Sequence, residues 1–138
     1  MRRLALLALL ALSACAPRPA EAPPVAVRPG VVVVRDAEGR VLLNPGLGLG
    51  APPGAVVLEQ AYRGAGSDSR FTHPWEFDRV LSWLRAELKA MGWRVEELHI
   101  DEVPGSFGRA RLVVSKGDRR LVVELRWERG VYWLEVRR

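Results

Sequence analysis

The stretch RARLVVSKGDRRLVVELRWERGVYWLEVRR, residues 109–138, decides the fold. Two turn signals, Gly117-Asp118 and Arg129-Gly130, separate three β-rich runs, so the segment reads as a three-stranded meander. Centring the first turn on Gly117-Asp118 pairs Leu112 with Val123 and Val114 with Leu121. Centring the second on Arg129-Gly130 pairs Trp127 with Tyr132, Leu125 with Leu134 and Val123 with Val136. Both registers put all of these apolar side chains on one face, and a one-residue slip would scatter them. The opposite face carries Arg109, Arg111 and Val113, then Val122, Glu124 and Arg126, then Trp133, Glu135 and Arg137. On that face Arg111 falls opposite Glu124, a favourable pair, and Arg126 opposite Trp133, where a guanidinium can lie over an indole. Glu124 also falls opposite Glu135, which calls for a bridging Arg111 or Arg126.

Upstream, Ala55–Ala61 reads as a strand and Tyr62–Phe71, with its glycines and serines, as a polar loop. A helix follows, starting at Thr72 or His73 with Pro74 in its first turn. Glu76 and Asp78 lie near its positive end. Phe77, Val80, Leu81, Leu84, Leu88 and Met91 recur at helical spacing and make one apolar stripe. Gly92 ends the helix, and Trp93 can fold back on Leu88 as in a Schellman stop. Val95–Ile100 reads as a strand with irregular alternation at Glu96-Glu97, and Val103–Gly108 as a loop. The fold expected is therefore α+β: one amphipathic helix packed on one face of an antiparallel sheet that ends in a three-stranded meander, the other face open.

The N-terminus has a different character. Arg2 and Arg3 precede an uninterrupted Leu/Ala run from Leu4 to Leu12, which is the charged start and apolar middle of a secretory signal. The run is too short to span a bilayer, which needs about 20 apolar residues. Leu12-Ser13-Ala14-Cys15 resembles the lipobox of bacterial lipoproteins. That resemblance implies a thioether diacylglycerol on Cys15, cleavage before it and acylation of the new terminus. Cys15 is the single cysteine of the chain, so it has no internal disulfide partner. Two or three acyl chains would anchor stably where one is marginal. Ala16–Gly30 is Pro/Ala-rich text that suits neither a helix nor a central strand. In polyproline geometry, at about 3.1 Å per residue, it would reach roughly 45 Å. The expected organisation is 1–14 signal peptide, 15–30 lipidated cysteine and tether, 31–53 β-hairpin and Gly/Pro-rich loop, and 54–138 the α+β domain. The hairpin rests on Val31–Val34 and Val41–Leu43 around Asp36-Ala37-Glu38-Gly39. The C-terminal layout of helix, Gly-Trp, strand and meander over Ala55–Arg138 resembles small domains of unknown function in other bacterial lipoproteins, and that resemblance brings no catalytic motif.

The formal charge is +5, and +3 once Arg2 and Arg3 leave with the signal. This mild basicity permits attraction to anionic surfaces without demanding it. Gly46-Leu47-Gly48-Leu49-Gly50 lacks the following Lys-Ser/Thr and helix of a phosphate loop, and Pro52-Pro53 blocks that geometry. His73 and His99 are the only histidines and stand in no metal-ligand spacing, so neither a metal nor a cofactor is expected. His73 reads as a cap and His99 as outward-facing. The serines 67, 69, 82, 106 and 115 lie in no nucleophile elbow, and Asp101-Glu102 reads as solvated, so an envelope hydrolase has little support. Trp and Arg concentrate at binding hot spots. The expected role is a non-catalytic, lipid-anchored module of the cell envelope. It would contact an envelope protein or an anionic wall polymer through Arg109, Arg111, Arg126, Trp133 and Arg137. The lipid anchor argues against nucleic acid. The alternative is a small-ligand or lipid carrier with a pocket between helix and sheet. Ala16, in place of Asp after the cysteine, points to the outer membrane in a cell with two membranes.

Overall fold

A computed structural model describes residues 23–63 and 66–138. Cys15, the signal segment and the first part of the expected tether lie outside them. In chain order the elements are β1 (Ala26–Val27), β2 (Val34–Arg35), β3 (Val41–Asn44), β4 (Leu49–Gly50), β5 (Val56–Arg63), β6 (Gly66–Thr72), α1 (Phe77–Ala90), β7 (Arg94–Val103), β8 (Phe107–Lys116), β9 (Arg119–Glu128) and β10 (Val131–Arg137).

The meander forms in the register its side chains dictate: Leu112 faces Val123, Val114 faces Leu121, Leu125 faces Leu134 and Trp127 faces Tyr132. It is part of something larger. A seven-stranded mixed sheet runs β1-β5-β6-β10-β9-β8-β7, and a separate three-stranded sheet runs β2-β3-β4. The α+β expectation of one helix on a sheet is therefore corrected. Among the described residues the protein is mostly β, and one helix of 14 residues shares the inner face with a second sheet.

The correction has a local cause. The segment expected as a polar loop contains β6, which pairs antiparallel with both β5 and β10. Its inward residues are Ser67, Ser69 and Phe71, all buried. Serines hide the alternation that apolar residues would have advertised. Their burial is made tolerable by the second sheet, since both hydroxyls donate to the Leu43 carbonyl, at 3.4 and 3.0 Å. Asn44 donates to Ser67 Oγ at 2.7 Å and accepts the Leu47 amide at 2.7 Å. Gln60 reaches the Leu42 carbonyl at 2.8 Å. These bonds clip the β2-β3-β4 sheet onto the β5-β6 end. Leu43, Leu47 and Leu49 thereby join the core beside Leu112, Val123, Leu125 and Tyr132.

A hairpin forms at the expected turn, but its first strand is Val34–Arg35 rather than Val31–Val34. Val34 pairs with Leu42 across a turn in which Asp36 accepts the Glu38 and Arg40 amides and the Arg40 guanidinium. Within the described part of the expected tether, Ala26–Val27 pairs in parallel with β5, and Val25 and Val27 pack against the core. These residues lie along the domain as a short edge strand rather than projecting from it.

Helix α1 starts later than expected. Thr72 belongs to β6, and Glu76 is the N-cap, with no side-chain cap bond. His73 and Pro74 lie before it because the His73 ring is occupied elsewhere. Its Nδ1 accepts the Trp75 amide at 3.0 Å, which leaves Nε2–H to donate to the Pro53 carbonyl at 2.6 Å. At the other end, Gly92 takes φ +85. The Trp93 amide bonds the Leu88 carbonyl at 2.9 Å and the Gly92 amide that of Lys89 at 3.0 Å, completing a Schellman stop. The expected loop at 103–108 shrinks to a turn at 104–106, because β7 runs through Val103 and β8 begins at Phe107. Gly108 belongs to β8 because the Phe77 ring lies on it. A Cβ there would stand 2.4 Å from Phe77 Cγ.

Candidate interaction surface

Inner-face residues alternate with outer-face residues along every strand of the main sheet. Helix α1 and the small sheet both lie on the inner side, against Phe71, Leu112, Val123 and Tyr132. On the outer side Glu59, Asp68, His99, Asp101, Arg109, Arg111 and Arg126 are exposed.

One row across this face carries the strongest pattern. Pairing of β7 with β8, β9, β10, β6 and β5 aligns Asp101, Arg109, Arg126, Trp133, Arg70 and Glu59. Trp133, half-buried, lies between two guanidiniums, with Arg126 at 5.6 Å and Arg70 at 5.7 Å from its ring. Each such contact at an exposed site is worth about 0.5–1 kcal/mol. Together they hold the indole in place between its neighbours. Arg70 also donates to Glu59 at 3.2 Å, and its buried Nε has no hydrogen-bond partner. Beside the row, Glu124 and Val113 are buried on this outer face. Glu124 is held by Arg109 at 3.1 Å and Arg126 at 3.7 Å.

The sequence-derived set is therefore brought to one face with its roles redistributed. Arg111 stands opposite Glu124 as the register requires, but the ion pairs of Glu124 go to Arg109 and Arg126. Glu124 and Glu135 face each other, but among the described residues neither Arg126 nor Arg111 bridges them: Arg126 pairs with Glu124 alone, and Arg137 pairs with Glu135 on its own strand at 3.4 Å. Among the described residues, Arg111 has no ion pair. Sequence reasoning missed Arg70, Glu59 and Asp68. The signal was the alternation Ser67-Asp68-Ser69-Arg70-Phe71, which places Asp68 and Arg70 on the same side as Glu135 and Trp133. Glu59, Arg70, Arg126, Trp133 and Glu135 line a shallow recess of ≈ 540 Å³.

The remaining aromatics have structural positions. Trp75 packs against the His73 ring at 4.3 Å with the two planes tilted by 52°, and lies under Arg79 at 4.2 Å. Trp93 is buried and donates to the Leu47 carbonyl at 3.3 Å. Tyr132 donates to the Trp75 carbonyl at 2.6 Å, and burial, then the Glu76 and Asp78 charges, pushes its hydroxyl above the ordinary tyrosine range. Among the described residues no group of three or more His, Cys, Asp or Glu could hold a metal ion, and no helix is long and apolar enough to cross a membrane. No protein-family model, curated protein or solved structure matches the chain.

Proposed function

We propose that the chain is a non-catalytic interaction module of the cell envelope, anchored by lipid on Cys15, that docks a protein partner through the outer face of its main sheet. The observation that carries the docking surface is Trp133, held between Arg126 and Arg70 on a face that neither α1 nor the small sheet covers. A rigid aromatic that needs no ordering on contact, ringed by arginines, is the composition that concentrates binding energy. The charge pattern favours a protein over a wall polyanion. Arg70, Arg109, Arg126 and Arg137 are each already paired with Glu59, Glu124 or Glu135, and a polyanion would have to displace these carboxylates. A protein with its own mixed charges would not. The anchor rests on the Arg-rich start, the Leu/Ala run and Leu12-Ser13-Ala14-Cys15. Ala16 favours the outer membrane where there are two.

The double variant Trp133→Ala, Arg126→Ala tests the surface by co-isolation of the partner from intact cells. Loss of the partner with an unchanged circular dichroism spectrum is expected, and undiminished co-isolation contradicts the proposal. The anchor is tested separately by metabolic labelling with a clickable fatty acid. Label should be incorporated by the parent chain and lost on Cys15→Ser, and equal labelling of both contradicts the anchor.

A further inference from the structure

Strand β7 is the exposed edge of the main sheet and is ten residues long. Such an edge presents a row of unpaired backbone donors and acceptors to any chain that can match it. It also exposes Ile100 at 48% and Val103 at 57%, two of the most exposed large apolar side chains. Most sheet edges are blunted by charge spread along them. On β7 the one arginine, Arg94, stands at the start and Asp101 and Glu102 at the end, with Glu96 and Glu97 between.

The faces are known from the pairing with β8. Val95, Leu98 and Ile100 stand opposite Val114, Leu112 and Ala110, on the core side. Arg94, Glu97, His99 and Asp101 stand opposite Ser115, Val113, Arg111 and Arg109, on the outer side. Glu96 is the extra residue at the register shift between Val95 and Glu97, and it is tied back to Arg120 at 3.6 Å.

Two copies of this strand, laid antiparallel with Leu98 facing Leu98, match from Arg94 to Asp101. Glu97 meets His99. With Glu96 kept as the extra residue, Val95 meets Ile100 on the core side and Arg94 meets Asp101 on the outer side. The two-fold axis repeats each pair, so the Ile100 of each copy is covered by the Val95 of the other and two Arg94–Asp101 ion pairs form. Like charges directly opposite would oppose the pairing, and this register has none. Residue i meeting j while j meets i is the mark of an isologous interface.

We infer that β7 is a dimerisation edge for a second copy of this chain, joining the two main sheets into one continuous sheet. The inference stands apart from the outer-face proposal. It would place two Trp133 sites on one extended face.

Directly facing antiparallel residues lie about 4.5–5.5 Å apart at Cα, within disulfide reach. The test uses the full chain carrying Cys15→Ser, with Leu98→Cys added, under mild oxidation and non-reducing electrophoresis. A disulfide-linked dimer is expected, with none for Glu38→Cys on the β2-β3 turn. Because Leu98 is partly packed on the core, a second pair guards the result: one chain with Glu97→Cys and a differently tagged chain with His99→Cys should cross-link to each other. Adding Arg94→Glu should cut cross-linking at least tenfold, and adding Asp101→Arg to that variant should restore it. Failure of both cysteine placements, a dimer indifferent to Arg94→Glu, or adducts of position 98 only with a different protein would each overturn the inference.

Discussion

The Phe77 ring of α1 lies directly over Gly108 of β8. The Phe77 ring occupies the space where a side chain at 108 would begin, so Gly108→Ala forces the ring, and α1 with it, off β8. Overpacking of this kind costs about 1–3 kcal/mol. A urea titration should show a lowered midpoint with an unchanged slope. Nearby, Glu102 faces Asp78 and Glu76. Partial desolvation, then the Asp78 charge, holds its carboxyl above the ordinary value of 4.5. A carboxyl with a raised folded pKa favours the fold while protonated. Its contribution is therefore present below the unfolded value and lost as pH rises through the raised one. Glu102→Gln should flatten the fall in melting temperature across that window and raise it at neutral pH. A variant that melts in parallel with the parent at every pH would contradict the assignment. Neither residue's role could be read beforehand. Gly108 looked like a loop glycine next to Pro104 and Gly105, and nothing local says that Phe77 lands on it. Glu102 became distinctive only when the β7 strand carried it to the helix start.

At the level of elements, legibility followed the type of side chain that faces inward. The meander was readable because Leu112, Val114, Leu121, Val123, Leu125, Leu134 and Val136 are all apolar and fit only one register. The helix stripe and its Gly92-Trp93 stop were readable for the same reason, whereas its start was obscured by His73, whose ring bonds Pro53 rather than capping α1. Strand β6 was hidden because Ser67 and Ser69 face inward, and the partner that satisfies them, the Leu43 carbonyl, lies 24 and 26 residues away. The small sheet was hidden for a related reason, since β4 is only two residues long and sits in Gly-rich text. Two changes test these junctions. Asn44→Ala removes the acceptor of the Leu47 amide and the donor to Ser67, leaving buried groups unanswered at a cost of about 1–3 kcal/mol. Hydrogen exchange should then rise first in 41–50, ahead of the meander. Gly92→Ala places a Cβ at φ +85 and should cost roughly 1–2 kcal/mol, read as a lower melting temperature.

For the whole molecule, the fold sorts its surfaces. One side of the main sheet is given to α1 and the small sheet, and the other is left to arginines, carboxylates and Trp133. Arg109, Arg111, Arg126, Trp133 and Arg137 were readable as one face from the meander register. Arg70 and Glu59, which complete the row, were not, because they arrive on strands that the serines concealed. The central claim is that this face meets the partner. Site-specific photo-crosslinking in living cells tests it most directly, with a photoreactive residue in turn at Arg111, which has no ion pair to lose among the described residues, at Glu38 on the β2-β3 turn, and at Ala90 on α1. A partner adduct of defined mass from position 111, with none from 38 or 90, is the predicted result. Adducts from 38 or 90 with none from 111 would contradict it.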